Sequence, residues 1–405
     1  MAMQSFDAAA APMHAAKPLL DRNPIRAQRL IGSTIVQRPD LCEAYFNLGL
    51  AFHQQGRLPA AIRSYRRALT CCADCQLEGL VARSARRNLA QDLLLHGAFR
   101  EGWALYEERL DRQNHDFFHN LFGRPWQGIW DERPLSRLLL VAEQGLGDTL
   151  MFCRLGIQLQ IDLNVPVTLF CQKPLVALLQ QGTALDTVTA SVNHDPSHDA
   201  SVRWCPLMSV PLRVHLQPST LTRQAPYLTL PTNAIQRWQK LLGRNPEKQL
   251  IALHWQGNPR HEGSLYSQGR SIPFSELQAL GTLSGVEFVS IQKGAGSEQL
   301  RLDGPLRFVE GQAAVSASMD FIDTAAVLAN CDLLISADSG VVHLAGALGL
   351  PAWVALRHVP EWRWGLHGER SPWYPSLRLF RQPSHGDWNS VMEALLNAWQ
   401  QKVLP

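Results

Sequence analysis

From Arg137 onward the sequence alternates short apolar runs with helical patterns, and this alternation restricts the possible folds more than any other feature of the chain. RLLLVAE, PVTLFC, DTVTAS and VRWCPL read as strands, with helical patterns at DTLMFCRLGIQLQ and PLVALLQQ. A second series begins near Gln249, with strands QLIALHWQG, VEFVSIQKG, DLLISAD and PAWVALR. Its helices are PFSELQALGTL, DFIDTAAVLANC and SGVVHLAGALG. Strands and helices in alternation require parallel, doubly wound sheets, because a parallel neighbour is reached only through a crossover. Two series predict two domains, 137–240 and 241–405, with the boundary marked by LPTNAIQRWQKLLGRNPEK. Ligands of such sheets bind beyond the carboxyl ends of the strands. The loops after Ala142, His254, Ile291, Ala337 and Ala355 are therefore where a site is expected.

Ahead of this region the sequence repeats itself. Asn47-Leu48 recurs as Asn88-Leu89, Gly56 as Gly97, Tyr65 as Tyr106 and Leu69 as Leu110, each at an offset of 41. Each unit reads as a helix, a glycine turn and a second helix, with Ala61 and Gly102 small enough for close packing. An earlier partial helix, RAQRLIGSTIVQRP, is expected to cap the stack. Residues 25–112 thus form a short helical solenoid, which serves either to recruit a partner or only to dock and stabilise. Residues 113–136, rich in aromatics, Gly and Pro, read as a packed connector. The Ala-rich residues 1–24 read as a disordered leader, without the basic start and apolar centre of a signal peptide.

A chain of 405 residues, 46% apolar and 18% charged, suits a soluble globular protein of two or three domains. A net charge of +3 and the lack of a basic run give no sign of nucleic-acid binding. No apolar stretch reaches the roughly 18 residues that span a bilayer. Eight cysteines in a chain this long form no disulfide framework. Cys71, Cys72 and Cys75 cluster, but no second Cys or His pair at zinc spacing accompanies them. Reduced cysteines place the protein in the cytoplasm.

The strand ends carry the chemistry. After the first strand comes GLGDTLMF, with Gly145 and Gly147 on the turn and Asp148 at the start of a helix. A carboxylate there would repel a phosphate. In DLLISADSGVVHLAGALG, a strand ends at Ala337 and Asp338-Ser339-Gly340 forms the turn into a helix carrying His343. Free amides at that helix N-terminus suit a diphosphate, and Gly340 allows close approach. The plainer possibility is that Asp338 or Ser339 is an N-cap and His343 a packed core residue. Lys293, at the end of VEFVSIQKG, either neutralises a leaving diphosphate or lies in solvent. The loop QGNPRHEGSLYSQGRSIP holds Asn258, Arg260, His261 and Arg270. Arg270 either reaches a phosphate or ties the loop to the following helix. Phosphate-suited groups on three loops of one sheet, with an Asp on the glycine turn of the other, put Asp148 across a cleft from a nucleotide, where a general base stands.

AEQGLGDTLMFCR, HWQGNPRH, GRSIPF, SIQKG, DFIDTAAVLANCDLLISADSGVVHLAGALGLPAWVAL, EWRWG and SPWYPSLRLFRQP, in that order, resemble bacterial glycosyltransferases of the heptosyltransferase type, family 9. The repeats resemble the tetratricopeptide repeat, whose period is about 34 residues, with an insertion around TCCADCQ. The whole chain is similar to bacterial tetratricopeptide-repeat proteins carrying such a domain. The resemblance implies an α + α/β chain: a short helical repeat, then a GT-B fold of two Rossmann-like domains, the first for acceptor and the second for nucleotide sugar. It implies inverting transfer, no cofactor and no metal. By position, Asp148 matches the catalytic base, Lys293 the lysine on the donor phosphates, and Asp338, Ser339, Gly340 and His343 the nucleotide motif. Asp323 lies near an acidic ribose contact, or else belongs to a helix N-terminus with Asp320. The expected partners are a nucleotide sugar and a protein or glycan acceptor. A non-catalytic adaptor that keeps the nucleotide fold is the alternative.

Overall fold

A computed structural model describes residues 11–73, 79–110, 124–191, 201–221 and 226–401. They divide into two compact units.

The helical unit holds the described residues up to 110 together with Ser264–Ser267 and Val359–His367. Its helices are α1 (Ala11–Ala16), α2 (Pro24–Gln37), α3 (Cys42–Gln54), α4 (Leu58–Ala73), α5 (Leu80–His96) and α6 (Phe99–Tyr106). The expected leader is not disordered from Ala11 on. Met13, Ala16 and Leu20 are buried with Ala27 and Ile31 of α2 in one apolar cluster, enough to hold a short helix in place. The α3–α4 and α5–α6 hairpins turn at Gly56 and Gly97, whose φ values of 67° and 89° favour glycine in both copies. Cys71 and Cys72 are buried in an apolar cluster with Cys42 and Ala82, while Cys75 lies outside the described residues. No disulfide forms among the described cysteines.

Small residues set the hairpin spacing. A Cβ added at Gly49 would lie 2.4 Å from Cε1 of the fully buried Tyr65. One added at Gly102 would lie 2.8 Å from Leu94 side-chain atoms. Gly49→Ala is expected to lower the melting temperature of the helical unit. Overpacking costs about 1–3 kcal/mol and outweighs the about 1 kcal/mol of helix propensity gained. An unchanged or raised melting temperature would show that the Tyr65 ring has room to move.

A polar cluster lies inside this unit. Nδ1 of His53 and Oδ1 of Asp92 are 2.7 Å apart, and both side chains are buried. The Tyr266 hydroxyl donates to the same Asp92 oxygen at 3.1 Å, and its ring stacks on His53 with centroids 3.8 Å apart. The hydroxyls of Tyr65 and Tyr266 are 2.9 Å apart. Tyr266 comes from Ser264–Ser267, the tip of the long polar loop that follows the first strand of the C-terminal series.

The second unit holds two five-stranded sheets whose pairings are all parallel. The first contains β1 (Arg124–Pro125), β2 (Arg137–Val141), β3 (Val167–Phe170), β4 (Thr187–Thr189) and β5 (Val202–Pro206), in the order β1-β5-β2-β3-β4. The second contains β6 (Gln249–His254), β7 (Val286–Ser290), β8 (Leu333–Ala337), β9 (Ala352–Leu356) and β10 (Leu377–Arg381), in the order β10-β9-β8-β6-β7. Residues of β8 and β9 are all buried, as strands covered on both faces must be, which is why they read as unbroken apolar runs. The chain therefore has the expected class: a short helical repeat followed by two Rossmann-like sheets in the GT-B manner.

Several elements depart from the expectation. The stretch read as the domain boundary contains an amphipathic helix, Thr232–Leu242, with Trp238 and Leu242 buried. β10 (Leu377–Arg381) is a strand that the alternation does not predict. Of the connector, only 124–136 is described, and Arg124–Pro125 pairs as an edge strand with β5. The terminal helix Trp388–Gln400 buries Trp388, Val391, Met392, Leu395 and Ala398 in the core of the second sheet. Trp362, Trp364 and Trp373 are also buried, so these tryptophans serve packing.

Candidate active site

Two strand-to-helix turns meet at two glycines. At the end of β2, Gly145 begins the helix Leu146–Leu163, and at the end of β8, Ser339 begins the helix Gly340–Leu348. A Cβ added at Gly147 would lie 3.1 Å from Cα of Gly340 and 2.9 Å from Cδ2 of His343. Larger residues at 147 would push the turns apart, which accounts for Gly147 physically. Asp148, Gly147, Gly340 and His343 are thus brought together.

The two helix N-termini differ in charge. Neither has a side-chain cap on its helix amides, but the helix at Gly145 carries Asp148 in its first turn, with Oδ2 accepting from the Gly145 amide at 2.9 Å. The helix at Ser339 has no side-chain cap. Its first amides are left for another acceptor, and its dipole favours an anion. Neither Asp338 nor Ser339 serves as the capping side chain. The Ser339 hydroxyl instead lies 3.2 Å from Nδ1 of His254 and 3.3 Å from the Ser336 hydroxyl. Burial pushes the His254 imidazole down to about 4, so it is neutral near pH 7. Asp338 is 9% exposed, and among the described residues no side-chain hydrogen bond engages it.

Lys293 follows β7 and donates to the Val315 carbonyl. Burial holds its ammonium below the ordinary lysine range, so a diphosphate reaching it would meet a poorly hydrated cation. Its neighbour Gln292 joins two strand ends. Oε1 accepts from the amides of Trp255 and Gln256 at 3.1 and 3.0 Å, and Nε2 donates to the carbonyls of Gln256 and Ala295 at 2.8 and 2.7 Å.

Other expected site residues have local engagements. Asn258 caps the turn Pro259–His261, accepting from the Arg260 amide at 3.0 Å. Arg270 pairs with Glu262 at 3.7 Å and lies 3.3 Å from a Cβ added at Gly257, so it ties the stem of its loop. Asp323 accepts from Arg237, from Nε1 of Trp238 at 2.9 Å and from the Ser318 hydroxyl at 2.8 Å. Asp320 caps that helix, accepting from the amides of Ile322 and Asp323. Asp323 therefore ties the helix Phe321–Ala329 to Thr232–Leu242. Among the described residues, no three His, Cys, Asp or Glu side chains gather as a metal site would require, and no helix is long and apolar enough to cross a membrane.

Sequence reasoning passed over His254, Gln292 and Tyr374. His254 ends a strand that was read correctly, and its position at a carboxyl end was the available signal. Tyr374 lies 31 residues from His343, whose Nδ1 it meets at 3.1 Å, and no local pattern marks it.

The chain is similar to several known proteins. Protein FlbA of Caulobacter vibrioides is 24% identical over 378 residues, covering 89% of this chain. This chain spans only 61% of that relative's length. A glycosyl transferase family 9 structure from Veillonella parvula aligns at TM-score 0.43 and 12% identity, over 66% of this chain and 97% of that one. The ADP-heptose lps heptosyltransferase II of E. coli aligns at TM-score 0.44 and 14% identity, over 66% and 99%. Residues 42–75 match the family model of the tetratricopeptide repeat, and residues 295–360 match that of glycosyltransferase family 9 (heptosyltransferase). The chain thus joins a segment that matches the tetratricopeptide repeat to one that matches the family model of glycosyltransferase family 9.

Proposed function

We propose that the protein transfers a sugar from a nucleoside-diphosphate sugar to a protein or glycan acceptor, inverting the anomeric centre without a metal. The observation that carries this reading is the uncapped helix N-terminus at Gly340, in contact with Gly147 and one residue from Asp148. Backbone amides suited to a departing diphosphate and a carboxylate suited to an acceptor proton then stand at one place. In the proposed step, Asp148 takes the proton from the acceptor hydroxyl. The acceptor oxygen attacks the anomeric carbon from the face opposite the diphosphate, and the nucleoside diphosphate leaves with the bonding pair. Lys293 and the amides at Gly340 meet its charge. Asp338 would accept from a donor hydroxyl, Ser339 and His343 would contact the diphosphate or ribose, and Asn258 and Arg270 would shape the loop beside them. The repeats would recruit the acceptor or a partner.

Lys293→Ala tests the donor half of this reading. Removing a charged hydrogen bond to phosphate should weaken nucleoside-diphosphate binding by about 10- to 100-fold. The lysine's depressed ionisation adds a sign. As pH rises, wild-type affinity should fall earlier than for an ordinary lysine, and the variant should lack that limb. Equal affinities measured by calorimetry would remove Lys293 from the site.

A further inference from the structure

Ser339 stands where a serine ordinarily caps its own helix, and it does not cap it. It is the N-cap residue of the helix Gly340–Leu348, with φ −155° and ψ 170°, the extended backbone that a capping residue adopts. A serine in this place usually turns its hydroxyl to an amide two or three positions on. Here those amides belong to Val341 and Val342, and the Ser339 side chain accepts from neither. The Val342 amide meets the Ser339 carbonyl at 3.1 Å. Among the described residues, the amides of Gly340 and Val341 have no acceptor.

Sheet register explains what holds the hydroxyl away. β6 and β8 are parallel neighbours, and His254, the last residue of β6, pairs with Ser336. Nδ1 of His254 lies 3.2 Å from Oγ of Ser339. Ser336 gives its own proton to the Ala337 carbonyl at 2.7 Å, and its oxygen is 3.3 Å from Oγ of Ser339, long for a bond between hydroxyls. His254 is therefore the firmer of the two holds. The bond needs no particular tautomer, because a hydroxyl accepts from an Nδ1–H and donates to a bare Nδ1. His254 is 8% exposed, so little water competes for it. A serine cap and a hydrogen bond to a neutral ring are of similar worth. Loss of the ring nitrogen therefore frees Ser339 to turn onto its own helix.

We propose that His254 is a positioning residue that holds the Ser339 hydroxyl off its own helix, so that the amides of Gly340 and Val341 stay open to an anion. That the anion is the donor diphosphate rests on the function proposed above, and the restraint on Ser339 does not. Variants of the full chain test both parts. His254→Phe and the smaller His254→Ala lose the bond, His254→Asn puts an amide near the place of Nδ1, and Ser339→Ala removes the hydroxyl that would close the helix. Hydrogen exchange at the Val341 amide, read by NMR, should be about 3- to 10-fold slower in His254→Phe and His254→Ala than in wild type. It should stay near wild type in His254→Asn, and the slowing should vanish when Ser339→Ala is added. Binding of ADP, UDP, GDP and CDP is measured alongside by calorimetry. Whichever one wild type binds should bind about 3- to 10-fold more weakly to His254→Ala, with no such loss in the Ser339→Ala background. Unchanged Val341 exchange in both His254→Phe and His254→Ala overturns the restraint, and so does an equal loss of affinity in both backgrounds, which is what a merely structural histidine gives. If exchange slows as expected and wild type binds none of the four, His254 keeps its role and the donor-site reading fails. Slowed exchange with unchanged affinity in His254→Ala overturns the link between the open amides and the diphosphate.

Discussion

Asp148→Asn is expected to bind the nucleoside diphosphate as tightly as wild type and to transfer sugar about 10²- to 10⁴-fold more slowly, the range that general-base catalysis supplies. The substitution separates the two roles of this side chain. The Gly145 amide donates to a carboxylate oxygen at 2.9 Å, and an amide oxygen accepts the same bond, so that contact survives. What disappears is the charge that takes a proton. The charge is also worth about 0.3–1 kcal/mol to the helix dipole, too little to unfold the sheet domain. Transfer is measured under saturating donor, so that a binding defect does not pass for a chemical one. Turnover within about twofold of wild type would reduce Asp148 to that contact, since a lost general base costs far more.

Asp92→Ala is expected to destabilise the helical unit by about 3–5 kcal/mol, as loss of one partner from a buried pair does. Asp92 is 0% exposed and accepts from two directions through one oxygen, at 2.7 Å with His53 and at 3.1 Å with Tyr266. Alanine removes the acceptor that His53 meets inside the unit, at about 1–3 kcal/mol, while the Tyr266 hydroxyl keeps the Tyr65 hydroxyl 2.9 Å away. Asp92→Asn keeps a carbonyl oxygen of the same shape and should cost less. The order Ala worse than Asn, read from denaturant unfolding with hydrogen exchange in α3 and α5, is the expected outcome. Two variants within about 0.5 kcal/mol of wild type, the usual range of surface substitutions, would show that water or another group satisfies His53 and Tyr266.

The fold was legible where burial is continuous. RLLLV, QLIALH, LLISA and AWVAL are central strands of parallel sheets, and their neighbours on both faces favour apolar residues at nearly every buried position. Strand LRLFR at 377–381 escaped because it lies at the sheet edge and alternates with arginines that remain partly exposed. The helix Thr232–Leu242 hid because Pro231 before it and Gly243 after it read as punctuation, yet those residues mark its ends. In the site, Gly147, Asp148 and the Asp338–His343 motif were legible because each belongs to one strand, turn and helix. The pairs His343–Tyr374, His53–Asp92 and Asp92–Tyr266 join residues 31, 39 and 174 apart. Such contacts are made by packing and leave no periodic trace. Asp323 shows the converse. A carboxylate at the right distance along the chain is claimed by Arg237 and Trp238 once the neighbouring helix is in place.

In the proposed function, the C-terminal sheet holds the diphosphate of a nucleotide sugar at the uncapped helix N-terminus at Gly340, beside Asp148. Calorimetric titration of the full chain with ADP, UDP, GDP and CDP, with and without a chelator, tests it most directly. The account predicts that one of the four binds, equally well with the chelator present, and more weakly to Lys293→Ala. Failure of all four to bind would contradict it, leaving a repeat-bearing adaptor in which Asp148 only closes the turn of its own helix.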